Sequence, residues 1–177
     1  MADIKQRMIR AAKLDVSLYQ EVEADVQSMG QAMTVVVLSG AAAGIGSLGV
    51  LGLKGLVIGT LSALVGWYVW AYITYLVGTR LLPEPETRAT HAELLRTIGF
   101  SSAPGVLRAL GIIPGLYSIV FFITSLWSLA AMVIAVREAL DYRSTLRAVG
   151  VCAIGWIAQS LLAWLFFSLF GGVGAPV

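Results

Sequence analysis

The sequence has little charge, one cysteine, one histidine and no asparagine. Of its 177 residues, 58% are hydrophobic and only 12% are charged. The single cysteine, Cys152, excludes a disulfide framework, a thiolate metal site and a CxxC redox pair. The lack of asparagine excludes an N-glycosylation sequon. The net charge of +2 is too small to indicate a nucleic-acid partner.

The charged residues are unevenly distributed along the chain. Of the 22, nine lie in residues 1–31, six in 80–97 and five in 137–147, which leaves only Lys54 and Arg108 elsewhere. A soluble domain carries about 25% charged residues, spread over its whole surface. The long uncharged stretches therefore predict an integral membrane protein with several spans.

Residues 1–31 are predicted to form an amphipathic helical segment on the cytoplasmic side or in the membrane interface. Apolar residues recur there at spacings of three and four, which would align them on one helical face: Leu14, Leu18, Val22, Val26, Met29 and Met33. A basic stretch comes before them: Lys5, Arg7, Arg10 and Lys13. These cations could lie on anionic headgroups, but a solvated helix docked on the spans is the favoured interpretation.

The apolar runs predict an all-α bundle of five transmembrane helices in a membrane domain over residues 32–171, with a short tail at 172–177. The predicted spans are residues 32–53, 55–79, 98–113, 115–136 and 148–170. The third is short. Its apolar residues contribute about −2 to −4 kcal/mol to insertion, and a central arginine costs about 2.5–3.5 kcal/mol. We therefore expect this span to be broken and held in place by its neighbours.

The distribution of basic residues decides whether residues 98–113 cross the membrane. If they cross, ten Lys and Arg residues lie on the cytoplasmic side and only Lys54 lies outside; if they do not, the ratio is about seven to four. Cytoplasmic loops carry the excess of Lys and Arg. The sequence therefore predicts five crossings, with the N-terminus inside and the C-terminus outside.

The predicted spans lack the residues that most membrane chemistry requires. They contain no Asp, Glu or His, so ion-coupled transport and intramembrane hydrolysis are not expected. The only histidine, His91, has Glu84, Glu86 and Glu93 nearby in the sequence. Their spacing matches no known metal motif, and a solvated loop is the favoured interpretation. We expect no enzyme activity, no metal and no cofactor.

Arg108 is the strongest candidate for a functional residue. An arginine within a span is a functional-site hypothesis by default, and it could bind a lipid phosphate or a carboxylate of a partner. In the alternative interpretation, it snorkels to the interface or caps carbonyl groups freed near Pro104 and Pro114.

Small residues separated by three positions recur in the predicted spans. Such pairs let helices pack backbone to backbone. The glycines predicted to do so are Gly40, Gly44, Gly55, Gly59, Gly111 and Gly115. They indicate a tightly packed bundle, within the chain or with partners.

Seven short motifs follow one another along nearly the whole chain. They are residues 17–25 (SLYQEVEAD), 30–32 (GQA), 99–107 (GFSSAPGVL), 110–115 (LGIIPG), 136–140 (VREAL), 144–148 (STLRA) and 155–156 (GW). In order and spacing they resemble the bacterial branch of the Yip (Ypt-interacting protein) family of five-span membrane proteins. The resemblance implies a five-helix bundle with the N-terminus inside, and it carries no catalytic motif. Eukaryotic relatives act in vesicle traffic and bind Rab-type GTPases, but their partner-binding cytosolic region is not matched here, which puts such a partner in doubt.

These observations predict a non-enzymatic, multi-pass protein of the bacterial inner membrane. We expect it to scaffold or stabilise a membrane protein assembly, or to organise lipid around it, with lipid and other membrane proteins or a second copy as partners. One alternative is a small lipid-handling or transport protein in which Arg108 binds an anionic headgroup or substrate. Another is an accessory subunit of a large energy-converting membrane complex.

Overall fold

The computed structural model describes residues 3–170, apart from the side-chain surroundings of residues 50, 51, 54, 55, 163 and 166–170. The predicted tail at 172–177 lies outside this part of the chain. Seven α-helices follow in order: α1 (Ile4–Ala12), α2 (Val16–Ala24), α3 (Met29–Gly46), α4 (Leu48–Leu76), α5 (His91–Ser101), α6 (Tyr117–Ala139) and α7 (Thr145–Phe170). Short 3-10 or π helices join them: Val26–Ser28, Val77–Leu81 and Ala103–Ile112. The predicted all-α class is confirmed.

Four helical segments are long and apolar enough to cross a membrane. They are Val26–Gly46, Leu56–Leu81, Tyr117–Ala139 and Thr145–Leu162. They correspond to the predicted first, second, fourth and fifth spans. The chain is therefore a multi-pass helical membrane protein.

The predicted third span is divided into two shorter elements. Helix α5 begins at His91, seven residues before the predicted start, and it is followed by the 3-10 helix Ala103–Ile112. Pro104 lies at the start of the 3-10 helix, where its missing N–H breaks no helical hydrogen bond. The two elements together run alongside α3 in the same direction, because Gly99 lies against Ala32 near one end of α3 and Arg108 lies against Gly46 at the other.

The turn between α3 and α4 lies earlier than the predicted span boundary. Helix α3 ends at Gly46, and α4 begins at Leu48 after a single linking residue. A kink follows at Gly52, where φ is 63° and ψ is −168°. Residues with a Cβ are strained in that conformation, so glycine is required at this position. The predicted first span, residues 32–53, therefore ends too late.

The N-terminal segment forms a helical hairpin rather than one amphipathic helix, so the predicted continuous apolar face is wrong beyond Val22. Leu18 and Val22 are fully buried, but Val26 is 72% exposed. Asp15 and Asp25 accept hydrogen bonds from the backbone N–H groups of Ser17 and Gln27 and so begin new helical segments. Side chains of this type compete with helix continuation through such caps.

The buried side chains are concentrated at one end of the bundle. This end, called the base below, holds α1, α2, α5 and the loops at residues 82–90 and 140–144. Two apolar clusters fill it, and their largest fully buried members are Tyr19, Phe100, Leu18, Leu94, Ile98 and Leu140. The opposite end holds the turns at Ser47 and at residues 113–116, and its apolar side chains face outward, as Leu53, Ile112 and Phe122 do.

Candidate functional site

Arg108 is held against α3 by glycines on both elements. A Cβ added at Gly46 would overlap the carbonyl oxygen of Arg108, and one added at Gly105 would overlap the hydroxyl of Ser39. A larger residue at either position would push the 3-10 helix away from α3. These two glycines therefore set the position of Arg108 in the bundle.

The guanidinium of Arg108 makes few and long hydrogen bonds. Its Nε donates to Thr124 Oγ1 at 3.4 Å, and its Nη2 donates to Ser125 Oγ at 3.3 Å. Its Cζ lies 5.9 Å from the centre of the Phe121 ring. A guanidinium has five N–H donors, and normal N–H···O distances are about 2.9–3.0 Å. Among the residues that the structure describes, no carboxylate forms an ion pair with Arg108.

A cavity of about 430 Å³ lies beside Arg108, between the four long helices and the broken third element. Its polar lining comes from four elements and from the residue that links α5 to the 3-10 helix: Ser39, Ser62, Trp70, Ser102, Arg108 and Gln159. The volume is within the range of ligand pockets, about 300–1,000 Å³. Because its polar side chains are distant in sequence, only the fold brings them together.

A second recess of about 460 Å³ adjoins the cavity between α6 and α7. The two spaces share Trp70, Met132 and Gln159. Three buried polar atoms around them have no hydrogen-bond partner among the described residues: Trp70 Nε1, Ser128 Oγ and Gln159 Oε1. Buried polar atoms are almost always paired in native proteins. The indole N–H of Trp70 and the hydroxyl of Ser128 can donate to an anion beside Arg108, whereas Gln159 Oε1 can only accept and would bind a donor group of the same ligand. These atoms therefore indicate a place for a polar, negatively charged ligand.

The chemical capacity of this site is recognition rather than catalysis. Arginine, hydroxyl, amide and indole N–H groups donate hydrogen bonds to oxygen atoms. No histidine or carboxylate of the described chain lines the cavity or the recess, so neither space has a general base to activate its serines. The arrangement fits a bound phosphate or carboxylate group.

The cavity lies at the level of the polar tip of the N-terminal hairpin. The indole Nε1 of Trp127 donates to the carbonyl oxygen of Ala12 at 2.7 Å. Trp127 is two residues, about 3 Å along the helix axis, from Ser125, which binds Arg108. Lys13 is exposed at the hairpin tip. Charged groups thus reach the same depth as Arg108 on one side of the bundle.

Three of the glycines predicted to pack helices lie against a neighbouring element of this chain. A Cβ added at Gly40 would lie 2.9 Å from the Ala63 Cβ, and one added at Gly44 would lie 2.6 Å from the Leu56 Cα. Gly111 lies against Phe121.

The other glycines predicted to pack helices are placed differently. A Cβ at Gly59 or Gly115 would meet no atom within 4 Å. Gly59 lines the Arg108 cavity, and Gly115 has a φ of 83° in the turn before α6. The surroundings of Gly55 are outside the described part of the chain. The structure therefore puts the close packing on the α3 side of the bundle.

The basic stretch at the N-terminus is largely paired with carboxylates, so only part of it is free to meet lipid. Arg7 is 5% exposed and binds Glu21 and Asp25. Arg10 binds Asp15 at 2.8 Å, and this contact, with the Ser17 hydroxyl, lowers the pKa of Asp15 to about 2. These contacts hold α1 and α2 together as one structural unit.

The prediction that His91 lies in a solvated loop is wrong. His91 is the first residue of α5, and its ring packs edge-on against Tyr68 and Tyr72, with ring centroids 5.0 and 5.6 Å apart. A capping box between Thr90 and Glu93 begins the helix at this point. It turns the imidazole towards the aromatic face of α4.

The sequence pointed to Arg108 but not to the residues around it. Ser39, Ser128 and Gln159 are uncharged polar residues in apolar runs, and each is unremarkable alone. The sequence did contain one indication of these residues, because each predicted span has at least one polar residue within its apolar run. Polar residues within a membrane usually face the bundle interior, so their convergence could have been inferred.

Comparison with protein families gives a match that covers most of the chain. The model of the Yip1 domain matches residues 18–173. No curated protein and no solved structure matches the sequence. The matched region contains α3 to α7, the Arg108 cavity and α2 from Leu18 onward, and it begins after α1. The chain therefore belongs to the Yip1-domain family of membrane proteins.

Proposed function

We propose that this protein is a non-enzymatic membrane protein that binds the anionic group of a lipid or substrate in the cavity around Arg108. The observation that carries the proposal is an arginine inside the bundle that makes, within the described part of the chain, two long hydrogen bonds to hydroxyl groups and no others. A buried cation without a counter-ion is unfavourable. An anion bound beside it would remove that cost and would also give the free indole N–H of Trp70 an acceptor.

The proposed topology has five passes, with the N-terminus inside the bacterial inner membrane. Support comes from α5 and the following 3-10 helix, which run beside α3 for its whole length. A 3-10 helix rises about 2 Å per residue, so this short element covers more depth than an α-helix of the same length. The excess of Lys and Arg at the base supports the same orientation.

Binding to lipids of defined headgroup tests the function. The full chain, purified in mild detergent, would be titrated with phosphatidylglycerol and with phosphatidylcholine, and bound lipid would be counted by native mass spectrometry. Arg108→Gln should weaken phosphatidylglycerol binding about tenfold, which corresponds to about 1.4 kcal/mol, and leave phosphatidylcholine unchanged. A charge-assisted hydrogen bond is worth about this much.

Arg88→Gln is the matched control, because it removes one positive charge from an exposed loop residue. Equal losses in the two variants would show surface attraction and overturn the proposal. Unchanged binding in Arg108→Gln would also overturn it. Thermal unfolding of each variant separates lost binding from a lost fold.

Scaffolding of other membrane proteins is a second candidate function. The observation that favours it is an aliphatic ridge on α4, where Leu53, Val57, Leu61 and Val65 repeat every four residues and are 59–76% exposed. Such a ridge can pack against a helix of a partner or of a second copy. The same ridge would serve an accessory subunit of a larger complex.

Cross-linking in native membranes tests this second function. A Leu61→Cys variant should cross-link to a defined partner, while Ile119→Cys on α6, 57% exposed, should not. Cross-linking through the native cysteine should be low, because Cys152 is buried. Equal cross-linking of the Leu61→Cys and Ile119→Cys variants would mean that lipid alone covers the ridge.

A further inference from the structure

Gln159 brings a group of a different kind to the Arg108 cavity. Its Oε1 is buried and has no hydrogen-bond partner in the described part of the chain, and the residue lines both the cavity and the recess. An amide oxygen only accepts hydrogen bonds, and the ionised oxygens of a phosphate or carboxylate also only accept. A simple anion would therefore pair with Arg108 and leave Gln159 Oε1 without a partner.

Arg108 and Gln159 reach the cavity from different elements. A Cβ added at Gly105 would lie 3.7 Å from Arg108 Nη1 and would overlap the hydroxyl of Ser39, which lines the cavity. The two hydrogen bonds of the guanidinium use Nε and Nη2, not Nη1. The amide of Gln159 lies beside α4, because a Cβ added at Gly66 would be 3.9 Å from its Nε2. An anion at Nη1 and a donor at Gln159 would thus belong to two different parts of one ligand.

We infer that the ligand is a phosphate ester with a free hydroxyl group, whose phosphate lies beside Arg108 and whose hydroxyl donates to Gln159 Oε1. This inference rests on the proposed function and adds the chemical class of ligand to it. The phosphate accepts from Arg108 Nη1 and from Trp70 Nε1, and the hydroxyl supplies the donor that Gln159 requires. A glycerol phosphate group, either free or as the headgroup of a phospholipid, has both parts.

A hydroxyl group suits this site better than an ammonium group, which is another common donor in phosphate esters. The described lining of the cavity and of the recess contains no carboxylate. It does contain the positive charge of Arg108, and like charges repel more strongly in a protein interior than in water. An ammonium has three N–H donors, and burying them beside a single free acceptor is unfavourable. A neutral hydroxyl avoids both costs.

The test compares two phospholipids that differ only in the hydroxyl groups of the head. Phosphatidylglycerol and phosphatidylpropanol have the same charge and can carry the same acyl chains. In native mass spectrometry of the detergent-purified full chain, the wild type should bind phosphatidylglycerol about fivefold more tightly, a typical effect of one hydrogen bond. Phosphatidylethanolamine, whose head carries an ammonium, should bind more weakly than phosphatidylglycerol. Equal binding of phosphatidylglycerol and either of the other lipids would overturn the inference.

Substitution of Gln159 shows whether this residue recognises the hydroxyl. Gln159→Met removes the amide and keeps an unbranched side chain, so the preference for phosphatidylglycerol over phosphatidylpropanol should disappear. Gln6→Met makes the same change at an exposed residue of α1 and should keep the wild-type preference. A preference that persists in Gln159→Met would overturn the inference. Because both lipids are measured on the same variant, a general loss of stability would lower both and would not imitate this result.

Arg108→Gln distinguishes failure of this inference from failure of the proposed function. It should weaken the binding of both lipids and keep their ratio, since the phosphate is common to them. If it weakens both while the wild type shows no preference, the site binds the anion alone; the inference is then wrong and the proposed function stands. If it changes neither, the proposed function is wrong as well.

Glycerol 3-phosphate and propyl phosphate repeat the comparison without acyl chains and identify the source of the ligand. A preference for glycerol 3-phosphate, at an affinity equal to that of the lipid, would support the inference with a soluble phosphate ester as the ligand. A preference confined to the two phospholipids would support it with a lipid headgroup. No preference in either pair would overturn it.

Discussion

The arginines at the base and the arginine towards the opposite end of the bundle differ in their hydrogen bonds. At the base, Arg7 and Arg96 are each 5% exposed. Arg7 donates to Glu21, Asp25 and Gln31 at 2.8–2.9 Å, and Arg96 donates to the carbonyl oxygens of Val22 and Glu23.

Arg108, towards the opposite end, has only two long bonds to hydroxyl groups. The difference teaches how to separate a structural arginine from a functional one in this fold. An arginine with short hydrogen bonds to carboxylates or carbonyl oxygens of its own chain holds elements together. One whose donors remain free is available to a ligand.

The largest expected effect on stability comes from the contact between α3 and α4, where Gly44 on α3 and Gly59 on α4 have different surroundings. Gly44→Leu should abolish the folded monomer, because even a Cβ at this position would lie 2.6 Å from the backbone of Leu56 and overpacking costs about 1–3 kcal/mol for smaller insertions. Gly59→Leu should fold normally, since nothing lies within 4 Å of its Cβ position. Size-exclusion chromatography and thermal unfolding in detergent would measure both. Equal stability of the two variants would contradict the close packing of α3 on α4.

A second prediction concerns the ion pairs that join the two arms of the hairpin. Arg7→Ala should destabilise the hairpin by about 2 kcal/mol, less than the 3–5 kcal/mol for a fully buried pair, because its carboxylate partners are 32–34% exposed. Arg10→Ala should cost less than about 1 kcal/mol, since its own side chain is 30% exposed. Hydrogen exchange of residues 3–25 would report the opening. Similar exchange in the two variants would show that burial does not set the strength of these pairs.

The pH dependence of the base follows from Glu23. Burial, together with the nearby carboxylates of Asp141, Glu93 and Glu138, raises the pKa of Glu23 to about 7, against the opposing effect of Arg96. The folded form thus holds this proton more tightly than the unfolded chain, whose pKa is 4.5. The stabilisation is complete below pH 4.5 and is lost as the pH rises through 7.

Glu23→Gln should therefore stabilise the hairpin at pH 8 by about 1 kcal/mol, a value reduced for partial solvent exposure, and change little at pH 5. Thermal unfolding of the wild type and the variant at the two pH values would measure this. A constant difference between them at both values would show that Glu23 does not titrate in this range.

The smallest expected effect tests the link between the hairpin and α6. Trp127→Phe removes the hydrogen bond to the Ala12 carbonyl but keeps most of the ring. The expected cost is about 0.5–1 kcal/mol, typical of one hydrogen bond. Faster hydrogen exchange should be confined to the end of α1. A uniform increase over the whole bundle would mean that the contact supports more than the hairpin tip.

The sequence predicts those parts of the fold that depend on local signals. The four long apolar helices, the capping box at Thr90 and the break near Pro104 all follow from composition and local chemistry. The division of the N-terminal helix was missed because the apolar periodicity from Leu18 onward competes with the caps at Asp15 and Asp25, and the caps prevail.

The candidate site could be predicted only in part. Arg108 stands out because a charge in an apolar run is conspicuous in any sequence. Gln159 and Ser128 do not, since their importance depends on which faces of α6 and α7 turn inward. Likewise, whether Arg7 or Arg108 keeps free donors depends on contacts between residues far apart in the chain.

The hydrogen bond between Trp127 and Ala12 has a consequence for the bilayer itself. On the face covered by the hairpin, the apolar wall runs from Tyr117 to Trp127, about 15 Å of helix, whereas a hydrocarbon core is about 30 Å thick. Lipids there must shorten or tilt, at a cost of a fraction of a kcal/mol per Å of mismatch. We therefore infer that the protein thins the membrane on one side, which cryo-electron microscopy in nanodiscs would show as a local dip of the headgroup layer; a level surface would exclude it. Such a dip would shorten the distance that a headgroup travels to reach Arg108.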